Sequence, residues 1–434
     1  MLAFSHIALP QSGLLLVIVT AAIFTALFAA ALAAWLAAKL WLAHRQIRFV
    51  AAHRDDVPAA FAGRIGLAAH QKAADYTVAR VRFSREEMLA EAALLVLLTL
   101  GGGLALLVAW TASLGIGPVA TDVALVVAVG VIAGLVGLPF SYAYTFGIEA
   151  RFGFNRTSRA TWFADVVKSA LIAAALGIPL AALVLWLMRA AGAWWWLWAW
   201  LAWMAFQFLV LALYPTVIAP LFNKFSPLPE GPARTAIEAL LARCGFTSKG
   251  LFVMDGSRRS SHGNAYFTGF GRAKRIVFFD TLLERLAPGE VEAVLAHELG
   301  HFRLRHVLKR MAWSAVVSAV VLALLAWLVT VPWFYEGLGV PASPDRPGVA
   351  LVLFFLALPV FTFALGPLAS LYSRRHEFEA DAFAARHASA TALVTALVKL
   401  CEDNATTLTP DPVYSAVYDS HPPAALRIAK LQAS

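Results

Sequence analysis

Charged residues and cysteines are both scarce in this chain. Lys, Arg, Asp and Glu make up only 14% of the 434 residues, whereas soluble domains carry about 25%. Because so much apolar surface cannot be buried in one soluble core, the composition argues against a soluble protein and indicates a membrane protein. Only Cys244 and Cys401 occur, outside any CxxC pair, which argues against a disulfide framework and a cysteine-type zinc site.

The sequence also lacks a typical secretory signal. Its first residues, MLAFSHIALPQSG, contain no basic n-region, and the apolar stretch that follows is longer than a signal h-region. We therefore expect that stretch to remain as a membrane span. About 20 apolar residues cross a bilayer, and seven segments meet this requirement: roughly 13–42, 89–113, 118–146, 167–190, 194–220, 311–334 and 349–371.

Basic residues are distributed unevenly around these spans. With the N-terminus outside, only Arg189 and Arg346 of the 35 Lys and Arg residues lie at or in an outer connection. The first inner loop, 43–88, is rich in them. This asymmetry predicts an outer N-terminus and a cytoplasmic C-terminus, in the cell membrane or, in a eukaryotic host, the endoplasmic reticulum. The net charge of +9 then reflects cytoplasmic loops, and no nucleic-acid partner is expected.

A small folded domain is predicted within 232–300. PARTAIEALLARCG (232–245) has a helical pattern that ends at glycine. GLFVMDGS (250–257) and RIVFFDTLL (275–283) are β-rich runs on either side of a Gly- and Ser-rich connection. Another helix is expected to begin near Pro288, because proline and acidic residues are favoured in a first helical turn.

That helix carries LAHELGHFRLRHVL (295–308), a polar cluster at the edge of a long apolar run. His297 and His301 are four residues apart and share a helix face, and Glu298 adjoins them. HExxH supplies two zinc ligands and a carboxylate that accepts a proton from zinc-activated water. Small neighbours such as Gly300 are expected to leave room above the metal. His306 lies about 140° from the ligand face and is interpreted as a membrane-edge residue.

A catalytic zinc ion needs a third protein ligand and an open position. The densest remaining acidic cluster is SRRHEFEADAFAARH (373–387). Glu377 and Asp381 share a helix face there, which nominates one as a ligand and the other as its support, without deciding which is which. Glu379 points away and is expected to remain solvated, and His376 lies off the Glu377 face.

HELGH and SRRHEFEAD together resemble the Ste24 type of CAAX prenyl protease, an integral-membrane zinc endopeptidase group of the M48 family. HExxH alone occurs in many proteases, whereas the ordered set of resembling segments is specific. The composition, rich in Ala, Arg and Leu, is typical of a bacterial member. The other segments that resemble the family are QKAADYTVAR (71–80), PFSYAYTFGIEARFGFNRTS (139–158), YPTVIAPLFNKFSPLPEG (214–231), HGNAYFTGFG (262–271) and HPPAALRIAKL (421–431).

The resemblance implies a mostly α-helical membrane protein in which seven helices enclose a water-filled chamber, with one zinc ion at its cytoplasmic end. It implies that Glu377 is the third ligand and that Asp381 supports it. It also implies that His421 reaches the reaction centre and that Arg427 pairs with Asp381. The segment Asn264–Ala265 resembles the edge strand on which an extended substrate would be held by strand pairing.

We therefore predict an N-terminal membrane region of five helices (1–220) and an M48 peptidase domain (221–434) that includes the last two spans and a cytoplasmic tail. The expected activity is zinc-dependent hydrolysis of a peptide or protein substrate, lipidated or membrane-associated, at the lipid bilayer.

Three alternatives differ in sequence features. A broader-specificity quality-control protease of the M48 family would have fewer spans and a shorter chain. A protease of the site-2 type would carry HExxH inside a span, whereas charged residues at 302–310 place it at the membrane edge. A transporter or scaffold with a structural zinc ion would need no base such as Glu298.

Overall fold

The computed structural model describes residues 20–246, 250–268 and 275–433. The N-terminal stretch and the beginning of the first predicted span therefore lie outside the described residues. The described helices are α1 (Ala21–Ala52), α2 (Leu67–Leu98), α3 (Gly103–Ser113), α4 (Pro118–Ala143), α5 (Arg159–Ala190), α6 (Trp195–Leu213), α7 (Ala219–Phe222), α8 (Pro232–Arg243), α9 (Asp280–Arg285), α10 (Pro288–Arg303), α11 (His306–Leu328), α12 (Pro332–Glu336), α13 (Pro347–Thr362), α14 (Gly366–His387), α15 (Ala390–Asp403), α16 (Pro412–Tyr418) and α17 (Ala424–Gln432).

The predicted fold class, a mostly helical membrane protein, is confirmed. Within the described ranges, six helical runs are long and apolar enough to cross a bilayer, and a seventh span results if the bent pair α2–α3 counts as one. The segment 89–113 is not a straight span, because α2 and α3 meet at 56°. The bend falls at three successive glycines. Gly102 has φ +76°, a conformation that a Cβ atom disfavours.

Two boundaries drawn from hydropathy are wrong. The predicted loop 43–88 is helical over most of its length, since α1 continues to Ala52 and α2 begins at Leu67. The tail expected from residue 372 also begins inside a helix, because α13, a short turn and α14 form one helical run, Pro347–His387. Lys, Arg and Glu are good helix formers, so a helix does not end where its apolar residues end. The second continuity carries the HEFEAD sequence directly from a membrane helix into the peptidase region.

A four-stranded sheet lies between α7 and α10. Its strands β1 (Phe225–Pro227), β2 (Leu251–Met254), β3 (Ala265–Thr268) and β4 (Arg275–Phe279) are ordered β1-β2-β4-β3. β2 and β4 are parallel, and the other two pairings are antiparallel. The sequence pattern predicts β2 and β4, whereas β3 is expected only from the resemblance and β1 is not expected. The order makes β3 an edge strand.

Among the described residues, two of the three buried apolar clusters are large. One lies in the peptidase region between the sheet and helices α8, α10, α15 and α17, around Ile237, Phe278 and Leu295. The other joins membrane helices α1, α11 and α13 around Phe28 and Phe354. The polar motifs at 297–301 and 376–381 lie where α10 packs against α14, at the edge of the first cluster.

Candidate metal centre and substrate cavity

The N-terminus of α10 is well capped, as the sequence predicts. Pro288 occupies the first turn, and the carboxylate of Glu290 accepts a hydrogen bond from the backbone N–H of Ala287 at 2.7 Å. Lys399 on α15 pairs with the same carboxylate at 2.7 Å. The cap and this ion pair fix the register of the helix that carries His297 and His301.

A close helix crossing brings the two polar motifs together. A Cβ atom at Gly300 would lie 3.0 Å from the Cα of Ala380 and 3.1 Å from the Cβ of Phe383. Only glycine therefore allows α10 and α14 to approach this closely without displacement. The expectation that Gly300 leaves room above a metal is wrong, because the space beside it is filled by α14.

Three potential ligand atoms converge where the helices cross. Nε2 of His297 lies 3.2 Å from Nε2 of His301, and the carboxylate oxygens of Glu377 lie 3.5 Å and 3.3 Å from these nitrogens. Ligands bound tetrahedrally at about 2.0–2.2 Å are separated by about 3.3–3.6 Å. The spacing therefore fits a shared metal ion.

Glu377 supplies a second, independent indication. Its Oε2 atom is buried and has no hydrogen-bond partner among the described residues. A buried polar atom without a partner is costly, and a cation would satisfy it. Together with the donor chemistry of His297 and His301, this shows that the residues fit a metal ion.

Asp381 lies behind the first ligand. Its Oδ1 is 2.9 Å from Nδ1 of His297, and Arg427 donates to both of its carboxylate oxygens, at 2.8 Å and 2.6 Å. Glu377 therefore faces the ligand side of His297, and Asp381 faces the opposite nitrogen. Asp381 supports His297 rather than Glu377, which differs from what the resemblance implies. Burial alone lowers the pKa of His297, but the adjacent carboxylates of Asp381 and Glu377 raise it to about 9.

The site opens onto a cavity of about 770 Å³. Glu298, next to the candidate ligand His297, lines this cavity together with Asn264 and His421. Burial raises the pKa of the Glu298 carboxyl above its usual range. Residues from three distant parts of the sequence, 264–265, 297–298 and 421, thus share one space, and the catalytic candidates are brought together.

His421 reaches the ligand group from the C-terminal segment. Its side chain is 65% exposed, and its Nε2 lies 3.5 Å from Oε1 of Glu377. The hydroxyl of Ser420 is 3.0 Å from Nδ1 and can donate to it, which leaves a hydrogen on Nε2. Pro422 and Pro423 follow in non-helical conformation, and α17 begins directly after them. That helix carries Arg427, whose predicted contact with Asp381 is present.

The edge strand presents backbone groups to the cavity. The N–H of Phe279 donates to the carbonyl of Asn264 at 2.9 Å. Because backbone groups alternate along an antiparallel strand, those of the next residue, Ala265, point away from β4. Oδ1 of Asn264 accepts a hydrogen bond from the Ala265 N–H at 2.8 Å. The free edge is thus protected by the side chain of its own neighbour.

Two nearby residues make contacts that the sequence does not predict. His306 is the first residue of the apolar helix α11, as expected for the membrane edge, but its side chain is only 1% exposed and its Nδ1 lies 3.0 Å from Nδ1 of His301. Glu379 is not simply solvated, because it pairs with His306 at 3.0 Å. The angular argument fails because α10 ends at Arg303 and Arg305 has φ +58°, so His306 begins a new helix.

Asn404 is a residue that the sequence argument misses. Its Oδ1 accepts from the Gly263 N–H at 3.1 Å, and its Nδ2 donates to the Gly263 carbonyl at 3.4 Å. His262, next to Gly263, lies 3.2 Å from the same Oδ1 and 3.3 Å from Glu149. These contacts hold the segment that leads into β3. No motif marks Asn404, which lies in the ordinary sequence EDNA, so only the fold could reveal it.

The family models divide the chain into two parts. Residues 46–224 match the model described as CAAX prenyl protease N-terminal, five membrane helices, and residues 227–434 match Peptidase family M48. The chain is 40% identical to the CAAX prenyl protease 1 homolog of Oryza sativa subsp. japonica over 68% of this chain and 69% of that protein. It is 35% identical to CAAX prenyl protease 1 of Saccharomyces cerevisiae over 68% and 69% of the two chains.

The fold agrees with these matches. The crystal structure of S. mikatae Ste24p superimposes with a TM-score of 0.87 at 29% identity, covering 94% of this chain and 99% of that chain. The apolar helices make the protein a multi-pass membrane protein, and the family implies a bound metal ion and a peptide or protein substrate. The chain therefore belongs to the Ste24/CAAX prenyl protease 1 group of the M48 peptidase family, and it is an integral-membrane metalloprotease.

Proposed function

We propose that this protease uses one zinc ion held by His297, His301 and Glu377, with Glu298 as the general base. The observation that carries the proposal is a pair of imidazole nitrogens 3.2 Å apart, each with an oxygen of the Glu377 carboxylate at 3.5 or 3.3 Å, beside a second carboxylate that lines the same cavity. Two imidazole nitrogens and one carboxylate oxygen form a common ligand set of catalytic zinc. Bound zinc supplies Lewis-acid activation of water and of the substrate carbonyl.

The other residues have distinct tasks in this mechanism. Glu298 accepts the proton of the attacking water and delivers it to the leaving amine nitrogen. Asp381, held by Arg427, accepts the Nδ1 hydrogen of His297, which fixes the ring and leaves Nε2 free to ligate. His421 donates a hydrogen bond to the carbonyl oxygen as negative charge develops there.

The substrate is proposed to bind as an additional strand along β3. In support, the backbone groups of Ala265 point away from β4, and both Asn264 and Ala265 line the cavity. A substrate carbonyl would replace Oδ1 of Asn264 as the acceptor of the Ala265 N–H. Strand pairing of this kind supplies affinity through main-chain hydrogen bonds.

We propose that the substrates include lipid-modified or otherwise membrane-associated chains. The relatives are named CAAX prenyl protease, which supports a prenylated CAAX-type protein as one class. The packing of the membrane helices supports an enclosed chamber. In the most apolar stretches of the α4 helix and of α5, only 6% of the residues are buried. The corresponding share is 50% in the continuous α13–α14 helix. Few protein neighbours therefore cover α4 and α5 along their apolar lengths, and the proposed chamber would lie beside them.

Two further proposals concern organisation. The division into a membrane region (1–220) and a peptidase domain (221–434) is supported by the two family models, which meet between residues 224 and 227.

The N-terminus is proposed to lie outside and the C-terminus in the cytoplasm. Cysteines introduced at 72 and 258 should react with an impermeant thiol reagent only in inverted vesicles, and one at 343 only in right-side-out vesicles. Reversed labelling would contradict this orientation.

The general-base assignment can be tested directly. Glu298→Gln should lower peptide cleavage at least about a hundredfold while zinc content, measured by elemental analysis, stays at the wild-type level. Glu292→Gln is a matched control, because Glu292 lies on the same helix but pairs with Arg243. Activity of Glu298→Gln within a few-fold of wild type would refute the proposed mechanism.

A further inference from the structure

A second buried histidine contacts His301 on the side that faces away from Glu377. Nδ1 of His301 lies 3.0 Å from Nδ1 of His306, and Nε2 of His306 lies 3.0 Å from Oε2 of Glu379. The other oxygen of Glu379 accepts a hydrogen bond from Nε of Arg375 at 3.2 Å. Residues of α10, α11 and α14 thus form one linear chain that ends at a proposed metal ligand.

The direction of each hydrogen bond in this chain follows from ligation at His301. When Nε2 of His301 binds the metal, its hydrogen is on Nδ1. His306 must then accept at its own Nδ1, so its hydrogen is on Nε2 and points at Glu379. Every hydrogen has one acceptor, and both imidazoles are neutral. The geometry is therefore self-consistent for a ligated His301.

The two proposed histidine ligands differ in the partner of their Nδ1 atom. Nδ1 of His297 contacts the carboxylate of Asp381 directly, whereas Nδ1 of His301 reaches a carboxylate only through His306. Histidines that bind metals almost always donate their second N–H to a carboxylate, carbonyl or water, and loss of that partner typically lowers metal affinity or activity 10–100-fold. We propose that His306 and Glu379 are positioning residues that hold His301 in its ligating orientation. This inference rests on the proposed role of His301.

A separate metal site is the competing interpretation. His306, His376 and Glu379 offer ligand atoms within 4.8 Å of one another. However, the rings of His306 and His376 are stacked, with centroids 4.0 Å apart and planes inclined by 9°. The lone pair of an imidazole nitrogen lies in the ring plane, so parallel rings cannot direct both lone pairs at one ion about 2.0–2.1 Å away. His376 instead packs against the ring of His306 and fixes its plane.

The backbone between α10 and α11 is strained in a way that serves this contact. Arg305 adopts φ +58°, a left-handed conformation that is unfavourable for most residues other than glycine. Strain of this kind persists where the surroundings enforce it, often at functional sites. Here it ends α10 and turns the chain so that the first residue of α11, His306, lies against His301.

The experiment measures the rate at which zinc leaves the purified, full-length, zinc-loaded protein in detergent when excess chromogenic chelator is added. His306→Phe keeps an aromatic ring for stacking but removes both nitrogens, and zinc should leave 10–100-fold faster than from wild type. His306→Asn keeps an acceptor near the position of Nδ1 and should give an intermediate rate. His376→Phe is the matched control, since stacking is its contact with His306, and it should release zinc at the wild-type rate.

A second readout is the visible absorption spectrum of the cobalt-substituted protein, which should change in His306→Phe and not in His376→Phe. If His306→Phe does not fold, the difference between His306→Asn and wild type carries the test. A wild-type rate in the folded His306 variants would overturn the proposal. So would an equally fast rate in His376→Phe, because packing would then explain the effect.

Failure of this inference is distinguishable from failure of the proposed metal site. His301→Ala is expected to purify without zinc. If it retains a full zinc complement, the site itself is wrongly assigned. If it lacks zinc while the His306 variants behave as wild type, only the positioning role is wrong.

Discussion

Two buried Asp–Arg groups lie at opposite ends of this molecule and have different consequences. Asp122 lies near the start of a 32-residue helical run whose other end, Glu149, contacts the peptidase region at His262. Its carboxylate accepts hydrogen bonds from Arg189 at 2.6 Å and Arg346 at 3.1 Å. Asp381, at the peptidase end, is held just as closely by Arg427.

The difference lies in what surrounds each pair. Asp122 also accepts from the backbone N–H of Gly348 at 3.2 Å, and a Cβ at Gly348 would lie 2.6 Å from the Cβ of Asp122. These contacts therefore hold α4, α5 and α13 together in close packing. Asp381 instead contacts a histidine beside Glu377, whose Oε2 has no hydrogen-bond partner among the described residues. A buried ion pair alone does not indicate a functional site, whereas an unsatisfied acceptor beside a cavity does.

The basic residues around Asp122 are also relevant to the orientation of the chain in the membrane. Arg189 and Arg346 are the only basic residues at or in the predicted outer connections, and both pair with Asp122. One carboxylate balances only one of the two guanidinium charges. The small number of basic residues, and not their pairing, is what favours the proposed outer face.

Among the variants that compare the two Asp–Arg regions and their surroundings, the largest effect is expected for His421. His421→Ala should retain zinc but lose about 10²–10³ in kcat, the usual cost of one oxyanion donor. His421→Gln, which keeps an N–H donor, should recover part of the loss. Steady-state kinetics and elemental analysis give the two readouts. A wild-type kcat, or loss of zinc, in His421→Ala would remove this residue from the proposed role.

The next effect separates the two Asp–Arg groups. Arg427→Ala leaves the buried carboxylate of Asp381 without its cation, so zinc affinity should fall about 10–100-fold and the thermal unfolding midpoint should fall as well. Competition with a chelator of known affinity measures the first quantity.

Asp122→Ala is the counterpart at the other end. It should also lower the unfolding midpoint, because two partly buried arginines lose their common acceptor, but zinc affinity of the folded protein should match wild type. If both variants changed zinc affinity equally, the Asp122 group could no longer be called structural and the Asp381 group functional.

Residue spacing predicts which side chains share a face within an unbroken helix, and this prediction fails where a helix ends. Four-residue spacing within unbroken helices predicts that His297 shares a face with His301 and Glu377 with Asp381, but it does not say which carboxylate is the ligand. His306 follows a left-handed residue, Arg305, and the angular rule no longer applies there.

Hydropathy locates the spans but not their ends, since charged helix formers continue α1 and α13–α14 beyond the apolar residues. Contacts between distant segments are a further limit. Asn404 and Gly263 are 141 residues apart, and neither belongs to a pattern that would pair them. The grouping of His421 with the metal ligands is likewise expected only from the family resemblance.

The smallest expected effect concerns Asn404, and it tests whether polar contacts at the peptidase end serve substrate binding or only stability. Asn404→Ala removes both hydrogen bonds to Gly263 and leaves its N–H without that acceptor, so the segment entering β3 loses its register. Because strand pairing would contribute to ground-state binding as well as to the transition state, KM should rise about tenfold, which corresponds to about 1.4 kcal/mol, with little change in kcat. Asn404→Asp keeps an acceptor for the Gly263 N–H and should lie between wild type and alanine. Zinc content should be unchanged in both. A fall in kcat at constant KM would mean that Asn404 acts on the reacting groups instead, and wild-type kinetics would mean that the edge strand is held without it.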